Sequence, residues 1–127
     1  MLAVFLKIRS GTVNAPIARK ENSIIERCVS SDGQVAITHY NVLKEFKNYS
    51  LVECKLETGR THQIRVHMAY IGHYLLGDGL YNSNADKFDL IGRQTLHSYK
   101  MEFVHPVNKN KILLEAELPN DMRNLIK

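Results

Sequence analysis

The chain has 127 residues and a mass of 14.6 kDa, enough for one hydrophobic core and too little for two. Apolar residues make up 44% and charged residues 24%, which excludes extended disorder and a fibrous protein; no apolar run approaches the roughly 20 residues of a membrane helix. Lys and Arg number 17 against 13 Asp and Glu, for a net charge of +4 and a pI near 9.1, a balance that fits a polyanionic partner and fits many basic cytosolic enzymes equally well.

The chain opens on the apolar run Met1 to Leu6, followed by Lys7 and Arg9. A secretory signal carries its positive charge before the apolar stretch, so this order argues against export and for a cytoplasmic protein. A short strand is expected around Val4–Ile8, then an irregular stretch with Gly11, Pro16 and the turn Ser31-Asp32-Gly33. The β-branched and aromatic run Val35–Leu43 reads as a strand, and Lys44–Tyr49 as a polar turn. Across the next segment Val52, Cys54 and Leu56 alternate with Glu53, Lys55 and Glu57, the period of an antiparallel strand with one wet face.

The clearest helix is expected from Thr61 to about Ile71. Ile64, Met68 and Ile71 form one apolar stripe, and Gly72 stands where a helix end calls for positive φ. Two further alternating strands follow: Tyr99, Met101 and Phe103 oppose Lys100 and Glu102, and Leu114, Ala116 and Leu118 oppose Glu115 and Glu117. Cys28 and Cys54 are far apart and read as free, buried thiols. With no linker or repeat, residues 1–127 form one α+β unit with a mixed, mainly antiparallel sheet and few helices.

The densest polar stretch is Thr58-Gly59-Arg60-Thr61-His62-Gln63-Ile64-Arg65-Val66-His67. It leaves a strand through a Thr-Gly turn and enters the helix, where free N–H groups and the helix dipole favour phosphate. Arg60, His62 and Gln63 are candidate contacts to a nucleic-acid backbone or base edge. Arg60 reads equally well as a solvated loop arginine, and Gln63 as an idle surface amide. His67 borders the apolar stripe and reads best as a satisfied core histidine. His62 and His67 lie about 140° apart around a helix, and no Cys or carboxylate completes a set with them or with His73, so a metal site is not expected. No nucleophile elbow, P-loop or dinucleotide fingerprint is present.

The run from Leu56 to Met68, continuing through Ile71-Gly72-His73, Leu76-Gly77-Asp78 and Tyr81, resembles the RluA-type family of RNA pseudouridine synthases. The segment Gly11–Lys20 resembles that family's Pro-Ile-x-Arg element. Ala36, Thr38, Tyr40 and Val42 resemble its Ala-x-Thr-x-Tyr-x-Val strand, and Leu96-His97 with Phe103, His105 and Pro106 its Leu-His…Phe-x-His-Pro strand. Tyr74 departs from the family's usual Pro. The resemblance runs from about Gly11 to Asp121 and covers the C-terminal half of the family's catalytic domain.

The resemblance implies an enzyme that breaks the N-glycosidic bond of a uridine in RNA, rotates the base and rejoins it through carbon 5, with no metal or organic cofactor. It implies RNA, ribosomal RNA in particular, as the partner. The family's essential Asp lies in a His-Arg-Leu-Asp motif that these 127 residues lack, and its active-site Tyr falls at or before Met1. Arg65 corresponds to the family's arginine that pairs with that Asp, and is expected here to stand without a carboxylate partner. Asp78 is expected to have a structural job in its Gly-rich turn. The chain is thus expected to be inactive alone, as a fragment, a split half or a decayed enzyme. Its partners would be the missing N-terminal half or a second copy; the rival reading is a non-catalytic RNA-binding module.

Overall fold

The computed structural model describes residues 2–3, 10–46, 49–81 and 93–126. Among them are eight strands and two helices, in the order β1 (Leu2–Ala3), β2 (Gly11–Asn14), β3 (Ile17–Arg19), β4 (Arg27–Val29), β5 (Ile37–Glu45), β6 (Ser50–Leu56), α1 (Gln63–Tyr70), β7 (Lys100–Val104), β8 (Lys111–Glu115) and α2 (Asn120–Leu125). Every pairing among these strands is antiparallel. The α+β expectation therefore holds, with three separate sheets. One has four strands in the order β1-β6-β5-β2, and β3-β4 and β7-β8 are two-stranded. The strand expected around Val4–Ile8 lies largely outside the described residues.

The long β5-β6 pair is the backbone of the domain. Its register matches Tyr40 with Cys54 and Val42 with Val52, and it slips by one residue at Leu43, which bends the pair. Val52 and Cys54 are buried as their alternation requires, whereas Leu56, on the same face, is exposed at the strand's end. Ile64 and Met68 of α1 pack on Val52, Cys54 and Leu75, flanked by Tyr40, Val42, Ile71 and Leu96, so the predicted stripe is the face that meets the sheet. Val66, two residues from Ile64, points the other way into Ile17 and Ala36. Helix α1 is thereby gripped from two sides. A smaller cluster, Leu76 with Met122 and Leu125 of α2, closes beneath Tyr49 and Leu51.

The helix begins two residues later than its sequence suggests. His62 has φ 57°, in the left-handed region, so the helical geometry starts at Gln63. At the other end Gly72 has φ 84°, the N–H of His73 donates to the carbonyl of Met68, and that of Gly72 to Ala69. These two bonds close the helix with the left-handed terminus that glycine permits without a Cβ clash. No helix among the described residues is long and apolar enough to cross a membrane.

Candidate active site around Arg65

A buried polar chain ties α1 to the sheet. The Thr58 hydroxyl donates to Gln63 Oε1 at 2.7 Å, and Gln63 Nε2 donates to Thr38 Oγ1 and to the carbonyl of Ile37, both at 3.0 Å. Thr38 Oγ1 meets His67 Nδ1 at 2.8 Å, and His67 Nε2 lies 2.8 Å from the carbonyl of Ala15. A carbonyl can only accept, so Nε2 carries the proton, Nδ1 accepts from Thr38, and the ring is neutral. Burial lowers the pKa of His67 below its ordinary value and outweighs the raising effect of the Ala15 carbonyl. His67, fully buried with both nitrogens bonded, is the satisfied core histidine that its position suggested.

Gln63 corrects its expectation. It is 3% exposed, and its amide oxygen also takes the backbone N–H of Arg60 at 3.0 Å, so the side chain braces the turn from within and offers no free edge to RNA. The cause is the left-handed His62, which rotates the first helical residue inward. That conformation costs a non-glycine residue about 1 kcal/mol or more, and strain of this kind gathers at functional sites.

Arg65 also departs from expectation, because the structure gives it a carboxylate. Its Nε and Nη2 donate to the two oxygens of Asp78 at 3.0 and 2.8 Å, a bidentate pair in which Asp78 is 1% and Arg65 14% exposed. Asp78 Oδ1 also accepts the backbone N–H groups of Leu80 and Tyr81 at 3.2 and 3.3 Å, the structural role foreseen for it. The hydrogen bond to Asp78 raises the Arg65 pKa against the lowering effect of burial. The guanidinium lies 5.1 Å from the centre of the Tyr81 ring. The Tyr81 hydroxyl in turn takes the backbone N–H of Arg27 at 3.0 Å and meets His62 Nδ1 at 2.7 Å. Burial, followed by the charges of Arg65 and Arg27, lowers the pKa of His62. Burial raises that of Tyr81, so the phenol stays protonated.

Arg65, His62 and Tyr81 thus converge at the entrance of α1. Arg60 stands apart, its Nε donating to the Val35 carbonyl at 2.8 Å. Sequence reasoning missed the Arg65–Asp78 pair and the part played by Tyr81; the signal available was that both belong to the same extended motif. Of the remaining acidic candidates, Asp121 pairs with Arg93, Asp32 is exposed in its turn, and Asp86 and Asp89 lie outside the described residues. Both cysteines are free, and burial pushes the Cys54 thiol up to about 11.

Residues 4–70 match the family described as RNA pseudouridylate synthase. The chain is 51% identical over 117 residues to the RNA pseudouridine synthase YjbO of Bacillus subtilis, covering 92% of this chain and 40% of that protein. It is 42% identical over 125 residues to ribosomal large subunit pseudouridine synthase D of Zymomonas mobilis, covering 92% and 39% respectively. In fold it is similar to human RNA pseudouridylate synthase domain containing 1, with TM-score 0.75 and 24% identity over 91% of this chain and 52% of that one. The chain belongs to the RNA pseudouridylate synthase family, in its RluA-type branch. It spans about two fifths of the length of the curated relatives it matches.

Proposed function

We propose that these residues are the arginine-bearing C-terminal portion of the catalytic domain of a pseudouridine synthase that acts on ribosomal RNA. The observation that carries this reading is the fixed posture of Arg65. Asp78 takes Nε and Nη2, and Nη1 meets no acceptor among the described residues. One guanidinium edge is therefore held ready for a second carboxylate, which the resemblance assigns to the Asp of a His-Arg-Leu-Asp motif that these 127 residues do not contain. An arginine beside that Asp keeps it ionised and aimed at the ribose. Arg60 and His62 form the RNA-facing side of the helix entrance.

The N-terminal half of the same domain is the partner that completes the site. A groove of about 1020 Å³ runs between β6 and residues 96–102, lined in part by Cys54, Leu56, Ile64, Leu96 and Met101. Beside it Met101, Phe103 and Leu114 are exposed on β7 and β8. Apolar surface of this kind marks an interaction site, and the share of the relatives' length that this chain spans supports the rest of the domain as its occupant.

Tritium release from a transcript carrying 5-tritiated uridine tests the reading. The 127-residue chain alone is expected to release none, because it lacks the His-Arg-Leu-Asp motif to which the resemblance assigns the nucleophile. Adding the N-terminal half, in cis or as a separate chain, restores release. Arg65→Ala then abolishes it, and Arg65→Lys recovers only part, since lysine keeps the charge and loses the planar fork. Robust turnover by the chain alone overturns the proposal, with Asp32 and Asp78 the carboxylates to test next. The rival reading is a non-catalytic RNA-binding module, which folded, joined halves without turnover would favour. Either reading requires RNA binding that weakens steeply with salt, and Arg60→Ala should flatten that slope by about one unit.

A further inference from the structure

The cleft between the β3-β4 hairpin and the loop entering α1 takes no part in holding Arg65, yet three arginines line it. Arg19, Arg27 and Arg60 line a space of about 290 Å³, with Asp32 the one carboxylate among its walls. Arg19 and Arg27 are register partners, directly opposite one another on β3 and β4. Like charges so placed destabilise a strand pair. The neighbouring Lys20 and Glu26, by contrast, carry opposite charges and pair at 2.8 Å, which also keeps Glu26 from neutralising the arginines.

The cleft is built rather than incidental. Ile17 and Gln34 exchange two backbone hydrogen bonds of 3.0 and 2.9 Å, pinning the 30–34 turn against β3. Only glycine fits at Gly33, where a Cβ would come within 2.5 Å of the Ile17 backbone. Two of the arginines arrive pre-oriented. Arg60 is tethered through Nε to Val35, and Arg27 through Nη1 to the carbonyls of Ile24, Ile25 and Glu26 at 3.3 to 3.4 Å. Each keeps donors free of any acceptor among the described residues, and Arg19 has no side-chain partner among them.

We propose that this cleft is a binding site for a backbone phosphate of RNA, seating the phosphodiester beside the nucleoside presented to Arg65. An anion between Arg19 and Arg27 relieves their repulsion and receives charge-assisted hydrogen bonds from up to three guanidinium forks. Tyr81 joins the two places: its hydroxyl touches the Arg27 backbone and His62, and its ring lies under Arg65. The inference rests on the RNA reading above and adds a site and two residues, Arg19 and Arg27, to it.

The test follows the arginine Nε–H signals of the full 127-residue chain by NMR at low ionic strength. The dinucleoside monophosphate UpU should shift the signals of Arg19, Arg27 and Arg60, uridine should not, and inorganic phosphate should compete more weakly than UpU. Phosphate binding at least as tightly as UpU would reassign the cleft to a free anion and overturn the RNA assignment, as would silence from all three arginines. Arg19→Gln serves as the variant because Arg19 is exposed and braces nothing. It should raise the melting temperature in phosphate-free buffer, weaken binding of a short RNA about tenfold, and lower the salt slope by about one unit. Unchanged affinity and slope sink the proposal. If the joined enzyme forms no pseudouridine while the UpU shifts persist, the synthase reading fails and the cleft stands; turnover and RNA affinity both indifferent to Arg19→Gln give the reverse.

Discussion

Helix α1 and the β7-β8 hairpin sit on the same domain under opposite conditions. Five of the eight residues of α1 are buried, Gln63 and His67 among them, and each polar atom of those two side chains ends on a protein partner. In β7 and β8 every residue except Ile112 is exposed, including Met101, Phe103 and Leu114. The hairpin stands on its own ladder and on the bond from the Tyr99 hydroxyl to Glu53. Buried amide and imidazole groups are tolerated only where every donor and acceptor is matched, so the surroundings of α1 admit one arrangement. An apolar strand face in water has no such constraint and gains nothing until another surface covers it. The first region carries its determinants within the chain, and the apolar face of the second is left uncovered among the described residues.

The largest effect should come from breaking the most enclosed pair. Asp78→Ala leaves Arg65 charged, mostly buried and without its carboxylate, and also frees the N–H groups of Leu80 and Tyr81. Removing one partner of such a pair costs about 3 kcal/mol or more, read as a lower urea midpoint with m unchanged. Asp78→Asn, which can still accept from the two backbone groups, should lose less. Equal losses would mean that the backbone contacts of Asp78 contribute nothing, and no loss in Asp78→Asn would mean that its charge contributes nothing.

Next comes His67. His67→Phe fills the space but strands Thr38 Oγ1 and the Ala15 carbonyl, at a cost of about 2 kcal/mol above neutral pH. The same residue sets a pH dependence. His62 and His67 both have folded pKa values below the ordinary histidine value of about 6.5, so on acidification the unfolded chain binds protons first. Stability is fully present above about pH 6.5 and is lost as pH falls through the lowered folded values. Thermal melts from pH 7.5 to 5 should show that decline in the native protein and a shallower one in His67→Phe. A melting temperature that rises on acidification would contradict the neutral tautomer assigned here.

A smaller loss is expected at the helix end. Gly72→Ala meets no atom within 4 Å, so its cost of about 1 kcal/mol comes from holding alanine at φ 84° alone. Urea melts should show that change without any change in m.

Much of this organisation was legible in the residues. The spacing of Ile64, Met68 and Ile71 fixed the face of α1, the alternation from Val52 to Glu57 fixed β6, and Gly72 marked the helix end, because each signal is local and periodic. The burial of Gln63 was not legible, since it follows from the left-handed turn at His62, which nothing in the side-chain pattern requires. The Arg65–Asp78 pair spans thirteen positions and a glycine-rich turn whose path no periodicity describes. The facing of Arg19 and Arg27 depended on how the irregular stretch from Lys20 to Glu26 closed. The alternation announced β7 well and a second strand over Leu114–Leu118, whereas β8 runs earlier, over Lys111–Glu115; and a period of two says only that one face is apolar, and carries no information on whether that face is covered.

That last point gives the smallest effect and the sharpest comparison. Phe103 and Leu114 are about half exposed, so Phe103→Ala or Leu114→Ala in the 127-residue chain should shift stability by no more than about 0.5 kcal/mol, the ordinary range for surface changes. If the N-terminal half of the domain covers this face, the same substitutions become large-to-small changes in a core and cost about 3 kcal/mol in the joined protein. Paired urea melts of the two forms measure the difference directly. A matching small effect in both would show that β7 and β8 face solvent in the joined protein and that the N-terminal half does not cover them. A large effect in the 127-residue chain that fades on dilution would show instead that a second copy covers the hairpin, since only an intermolecular contact depends on concentration.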